Sequence, residues 1–260
     1  MAILEDFEGG TVDDLYDETA GDGWTVQALN RTSGFAQPTY RPLPDPTWSI
    51  PAPPGVAGDQ GLAFTGSSAW ALSVDYAICA GLGGFFYSDQ AGAGGSSSSS
   101  LIVSIGFVNE QAAGSITVDR RGDELRINEF YDDLVTYVDN DSTVVLGGTF
   151  PRPVWLEINL LRTGGWTIRD VDADVVLAHG DYPYLIPASA PWDLNMQPNQ
   201  SGPGGPSGSI RVMADDIYGF DGSSVAPAVR LFPRDDGRGM SSAPRIWPPP
   251  KANRVIGGYP

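Results

Sequence analysis

Glycine and proline interrupt this chain so often that long helices have no room. There are 33 Gly and 22 Pro among 260 residues, about a fifth of the total. Between these punctuation marks lie short segments rich in β-branched and aromatic residues. Several alternate apolar and polar positions with a period of two, the mark of strands with two unlike faces. The pattern predicts an all-β antiparallel sandwich. Hydrophobic residues at 41%, including 7 Trp, 10 Tyr and 10 Phe, supply enough apolar surface for a sizeable core.

Other function classes are excluded by what the chain lacks. No apolar run approaches the roughly 20 residues that cross a bilayer, so no membrane partner is expected. The start, MAILEDFEGG, has neither the basic flank nor the apolar stretch of a secretory leader. A single cysteine, Cys79, leaves no internal disulfide, and a single histidine, His179, argues against zinc. A net charge of −17 argues against nucleic acid. That charge is uneven. Residues 230–260 carry six basic side chains (Arg230, Arg234, Arg238, Arg245, Lys251, Arg254) against Asp235 and Asp236, a net of +4. The preceding 229 residues hold 9 basic and 30 acidic side chains, a net of −21. An acidic body with a basic tail is suited to attracting its neighbours in an assembly.

Strands are predicted near 24–29, 61–66, 69–76, 101–108, 115–120, 124–130, 134–138, 143–149, 154–161, 165–171, 174–179 and 209–219. Arg121-Gly122-Asp123 and Asp172-Ala173-Asp174 would close hairpins, and a turn accounts for the first triplet better than an integrin-type motif does. In 154–161 one face carries Val154, Leu156, Ile158 and Leu160; the other mixes Trp155, Glu157, Asn159 and Leu161. The prolines of 36–60 read as an extended insertion packed by Tyr40 and Trp48. AGAGGSSSSS at 91–100 and MQPNQSGPGGPSG at 196–208 read as loops. Together these give one sandwich over 1–224 and an extended, proline-rich arm over 225–260.

Candidate chemistry is sparse. Polysaccharide hydrolysis needs two carboxyl groups about 5–10 Å apart. Glu124 and Glu129 sit five apart and face opposite ways, Glu157 has no acidic neighbour on its strand, and Asp215 and Asp216 are adjacent. A serine triad would have to use His179, and no nucleophile-elbow motif is present. Cys79 lies in an apolar setting that suits an inert thiol, and Gly81-Leu82-Gly83-Gly84 lacks the helix a phosphate loop needs. Asp170, Asp172, Asp174 and Asp181 share the spacing of a calcium loop, but Val175 stands where that loop needs Gly, and a hairpin explains them better. An acidic site joining Asp6 and Glu8 to Asp215 and Asp216 would require the first and last strands to be neighbours. Tyr40, Trp48, Trp70, Trp155, Trp166 and Trp192 are candidates for stacking on sugar rings if exposed.

The opening LEDFEGG…GWTV, the segment GLAFTGSSAWALSV, the stretch VWLEINLLRTGGWTIRDVDADVVLAHG and the late GSIRVMADDIYGFD resemble parts of jelly-roll domains of the concanavalin A-like lectin/glucanase type. The resemblance spans about residues 1–222 and implies a jelly-roll β-sandwich, with carbohydrate-binding modules as relations. It implies a structural calcium held by Asp6, Glu8, Asp215 and Asp216. The catalytic E-x-D-x-x-E strand of the glucanases is missing, which implies a protein that is not an enzyme. The end, RLFPRDDGRGMSSAPRIWPPPKANRVIGGYP, resembles the C-termini of minor tail proteins of actinobacterial phages. This second resemblance implies a structural virion protein of a tail tip or baseplate, made in the bacterial cytoplasm and oligomeric in the particle. Its partners would be other tail proteins through 225–260, and host cell-wall polysaccharide.

Overall fold

The computed structural model describes residues 2–16, 20–21, 24–29, 38–56, 58–64, 70–74, 79–88, 99–110, 112–121, 124–133, 135–145, 153–162, 165–181, 191–197 and 211–220. Most of the 91–100 and 196–208 loops and all of 225–260 lie outside them. Among the described residues every regular element is a strand. In chain order these are β1 (Ala2–Glu5), β2 (Ala20–Gly21), β3 (Trp24–Leu29), β4 (Thr39–Pro42), β5 (Gln60–Phe64), β6 (Trp70–Val74), β7 (Gly81–Ser88) and β8 (Ser99–Val108). There follow β9 (Ala113–Arg121), β10 (Glu124–Asp132), β11 (Tyr137–Val145), β12 (Val154–Leu161), β13 (Gly165–Asp170), β14 (Val175–Asp181), β15 (Trp192–Gln197) and β16 (Val212–Phe220).

These strands form two antiparallel sheets. Sheet A runs β14-β13-β12-β7-β16-β5-β4, with β1 also paired to β16. Sheet B runs β11-β10-β9-β8-β15-β6-β3-β2. Chain neighbours such as β7 and β8, or β15 and β16, lie in opposite sheets, which makes a jelly-roll sandwich. Period-two alternation sends one side of each strand between the sheets. Leu156, Ile158 and Leu160 of β12 meet Val103, Ile105, Ile116, Val118 and Leu194 of sheet B in one continuous core. Arg120 is wholly buried within the sandwich and donates to the Ser88 carbonyl at 2.6 Å.

The two outer faces differ, and this difference positions everything below. Sheet A's outer face is apolar and covered over β5, β7, β12 and β16. Phe85, Tyr87, Trp155, Met213, Tyr218 and Phe220 form a second cluster with Leu43 and Ile50 from the segment after β4. Trp155 Nε1 fastens that segment by donating to the Pro51 carbonyl at 2.7 Å. Arg211 donates to the Trp48 carbonyl at 2.5 Å, while Asp45 accepts from the Thr47 and Trp48 amides. Sheet B's outer face carries polar side chains on most strands and has no such cover among the described residues.

Several expectations need correction. The proline-rich stretch contains an edge strand, β4, where Pro42 is tolerated because an edge needs fewer amide donors. The two strands expected at 134–138 and 143–149 are one, β11, paired along its whole length with β10. Asp139-Asn140-Asp141 reads as a turn, but Asn128 on β10 donates to both carboxylates, at 2.6 and 2.9 Å, and holds the segment extended. Besides β4, the strands β1, β2, β7 and β15 also stand outside those expected from the sequence. In β7 Gly83 lies under the Tyr218 ring; a Cβ there would stand 2.7 Å from Tyr218 Cε2. The hairpin at 172–174 stands as expected, with Asp170 paired to Val175, Asp170 Oδ1 accepting the Ala173 amide, and Asp174 at φ 54°. Arg121 pairs with Glu124, so β9 and β10 also form a hairpin; residues 122 and 123 themselves lie outside the described set.

Candidate functional site

Asp6, Glu8, Asp215 and Asp216 lie near one another at one corner of sheet A. β16 changes partner midway: Val212 to Ala214 pair with β5, and Ile217 to Gly219 pair with β1. At the changeover the register shifts between Asp215 and Tyr218, and Asp216 takes φ 39°. Asp6 and Glu8 follow directly from β1. Glu8 Oε1 accepts from the Asp59 and Gln60 amides at 2.8 and 2.9 Å, which fixes it at the head of β5. Burial, then the charges of Asp216, Glu8 and Asp6, push the Asp215 carboxyl up to about 8. Burial and the charges of Asp6 and Glu8 push Asp216 up to about 6. Burial also raises Glu8. Asp215 is 2% exposed, and its Oδ1 meets no donor.

An orphaned carboxylate oxygen among acids is a place for a cation or a proton. Calcium wants six to eight oxygens around one point. Among the described residues no three Asp, Glu, His or Cys side chains converge as metal ligands, so the donor set in this arrangement does not make a calcium cage. A proton on Asp215 relieves the same repulsion without any convergence.

The other chemical candidates are occupied structurally. Glu157 faces outward from sheet A, accepting from Tyr218 Oη at 2.7 Å and from Arg169 Nε at 2.6 Å. Glu129 points between the sheets and accepts from Trp166 Nε1 at 2.7 Å. The two acids therefore lie on different faces and do not flank a common bond. His179 is exposed on edge strand β14 opposite Thr167. Cys79 is buried, and burial pushes its thiol up. Among the aromatic candidates, Tyr40, Trp155, Trp166 and Trp192 are core residues, 0 to 6% exposed. Trp48 is partly buried with Arg41 and Arg211 over its ring, at 5.2 and 5.9 Å. The side chain of Trp70 lies outside the described residues.

The open face of sheet B offers what these residues do not. Because Val103, Ile105, Ile116, Val118, Leu125 and Ile127 face inward, their alternates face out. Residues paired across strands form rows. One row is Asp141, Asn128, Thr117, Ser104 and Asn195; another is Asp139, Phe130, Ser115, Gly106 and Asp193. A depression of about 360 Å³ is lined by Thr117, Asp119, Arg126, Asn128, Asp141 and Thr143 among others. A second, of about 180 Å³, adjoins it over Ser104, Gly106, Ser115, Phe130, Asp193 and Asn195. They meet where Thr117 Oγ1 donates to Ser104 Oγ at 3.0 Å. Gly106 keeps this floor low, since a Cβ there would stand 2.3 Å from the Gly114 carbonyl oxygen.

At the β10–β11 end, Phe130 and Tyr137 pack edge to face with centroids 5.9 Å apart, and Tyr137 is 66% exposed. The sequence reading weighed the tryptophans and passed over this pair. The available signal was the alternation of 126–130, which puts Phe130 on the same face as Asn128 and Arg126.

No protein-family model and no curated protein matches the chain. Solved structures are similar to it at low identity. Endo-β-1,4-glucuronan lyase from the fungus Trichoderma reesei has a TM-score of 0.47 at 12% identity, over 84% of this chain and 99% of that one. The potassium-bound carbohydrate recognition domain of Emp46p has a TM-score of 0.42 at 10% identity, over 62% and 83%. The binding domain of botulinum neurotoxin serotype G also scores 0.42 at 10% identity, over 76% and 46%. Such identities attach no ligand or activity to this chain.

Proposed function

We propose that the protein is a non-enzymatic glycan-binding component, with its ligand lying along the outer face of sheet B. The observation that carries this reading is the contrast between the faces: one covered across its centre by an apolar layer, the other an open polar groove with an aromatic edge at one end. Hydroxyls, amides and carboxylates set in rows match the hydroxyls of a sugar chain. An exposed ring matches the apolar face of a pyranose. The wet, shallow form of the groove suits a polymer better than a small metabolite, because an extended ligand gathers many weak contacts.

The resemblance of the C-terminal segment to minor tail proteins of actinobacterial phages supports a finer version. In it the groove meets host cell-wall glycan, and the basic residues of 230–260 meet neighbouring tail subunits. Soluble polysaccharides from actinobacterial cell walls, followed for both retention and release of sugar, test the reading. Binding without release is expected, and Tyr137→Ala should weaken it about three- to tenfold, the range of one aromatic contact. Release of sugar by the wild-type protein would overturn it.

A further inference from the structure

The groove also constrains which glycans it takes, an inference that rests on the glycan-binding reading above. Its side chains are rich in acceptors. Asp119 and Asp141 line the larger depression and Asp193 the smaller, while Asp139 stands in the Phe130 row; among the described residues Arg126 is the one cation in the lining. An ionised carboxylate accepts hydrogen bonds and donates none. Two of the donors in this lining are turned on the lining itself: the Asn128 amide donates to Asp139 and Asp141, and the Thr117 hydroxyl to Ser104. Asp193 Oδ1, on the central strand β15, is buried and meets no donor. Burial raises that carboxyl, and a hydrogen bond from the Ser73 side chain opposes the shift.

A ligand that pairs with the exposed carboxylates of Asp139 and Asp141 must bring donors. Hydroxyl groups do so; carboxylates and sulfates bring only more acceptors, and place negative charge beside four aspartates. We propose that the groove selects uncharged, hydroxyl-rich glycans and rejects polyuronates and other polyanionic chains. The selectivity is built as much from repulsion of the wrong ligand as from attraction of the right one. Arg126, in the larger depression, offsets only one of these four negative charges, so the repulsion of polyanions stands.

Matched pairs of polymers test this: polygalacturonate against its carboxyl-reduced galactan, and polyglucuronate against its reduced glucan, together with neutral arabinogalactan and mannan. Binding would be measured by affinity electrophoresis and calorimetry with the full chain. At least tenfold tighter binding of a neutral polymer than of either polyuronate is expected. Asp141→Lys, at an exposed position on edge strand β11, should weaken neutral binding at least threefold and improve polyuronate binding, with the melting temperature showing that the fold is kept. Asn128→Ala serves as the second variant and should also weaken neutral binding. Polyuronate bound as tightly as its neutral counterpart would overturn the inference while leaving a glycan-binding protein. No binding to any polymer would overturn both.

Discussion

Asp215→Asn is the sharpest test of the acidic corner, because the two ways of relieving it respond in opposite directions. In the folded protein the Asp215 carboxyl is pushed up to about 8 from an ordinary 3.8, with the side chain almost fully buried. Below pH 4 both folded and unfolded chains hold the proton, and the residue has no pH-linked effect. As pH rises from 4 to 8 the unfolded chain releases its proton while the folded chain keeps it, so stability falls; above 8 the loss levels off. At about 1.4 kcal/mol per unit, the loss relative to an uncharged side chain is about 4 kcal/mol at pH 7 and on the order of 5 kcal/mol at pH 8. Asn removes the titration but adds an amide with no waiting acceptor, a constant penalty of about 1–3 kcal/mol. The quantity to read is therefore the pH dependence of the difference between the two proteins, from urea unfolding followed by tryptophan fluorescence between pH 4.5 and 8.5. The variant should gain on wild type by several kcal/mol across that span, in chelator. Parallel curves would refute the reasoning. Wild type stabilised by millimolar calcium at pH 8, with the variant losing that response, would show instead that the ionised carboxylate holds a cation.

Two further outcomes follow from packing and from the chain's charge pattern. Gly83→Ala puts a methyl 2.7 Å from the Tyr218 ring and 2.9 Å from Asn159 Cβ, so it should lower unfolding stability by about 1–3 kcal/mol; an unchanged urea midpoint would show that Tyr218 has room to move. Removal of residues 230–260, which carry a net of +4, should leave glycan binding by the sandwich intact and abolish incorporation into phage particles; normal incorporation would remove the tail-subunit role.

Strand periodicity carried the fold in most places and failed where a residue's neighbours, not its own preference, decide its conformation. β12, β13 and β10 stood out because each alternates apolar and polar residues. GLGGFFYS did not, because β7 is buried on both faces and its glycines answer to Tyr218 lying across them. WDLNMQ does alternate, Trp192, Leu194 and Met196 inward with Asp193 and Asn195 outward, but the Gly- and Pro-rich residues after it extend the expected loop back over Met196 and Gln197 and leave too short a run to read as a strand. The acidic corner was legible because an unusual Asp-Asp pair in the last strand could be set against acids at the start of the chain. What sequence could not supply was the bulge at Asp215–Tyr218, which decides whether those acids converge on a point or merely crowd one another. The groove was the least legible, for a physical reason. A binding face of scattered Ser, Thr, Asn and Asp has the composition of any solvated sheet surface. It becomes distinctive only when the opposite face proves to be sealed. The outward side of β12, with Trp155 and Leu161 beside Glu157 and Asn159, already departs from a solvated pattern and needs a cover. The insertion after β4 supplies that cover through Leu43 and Ile50. With the centre of sheet A's outer face closed in this way, the broad polar surface left open to an extended ligand is that of sheet B, where the acceptor rows lie.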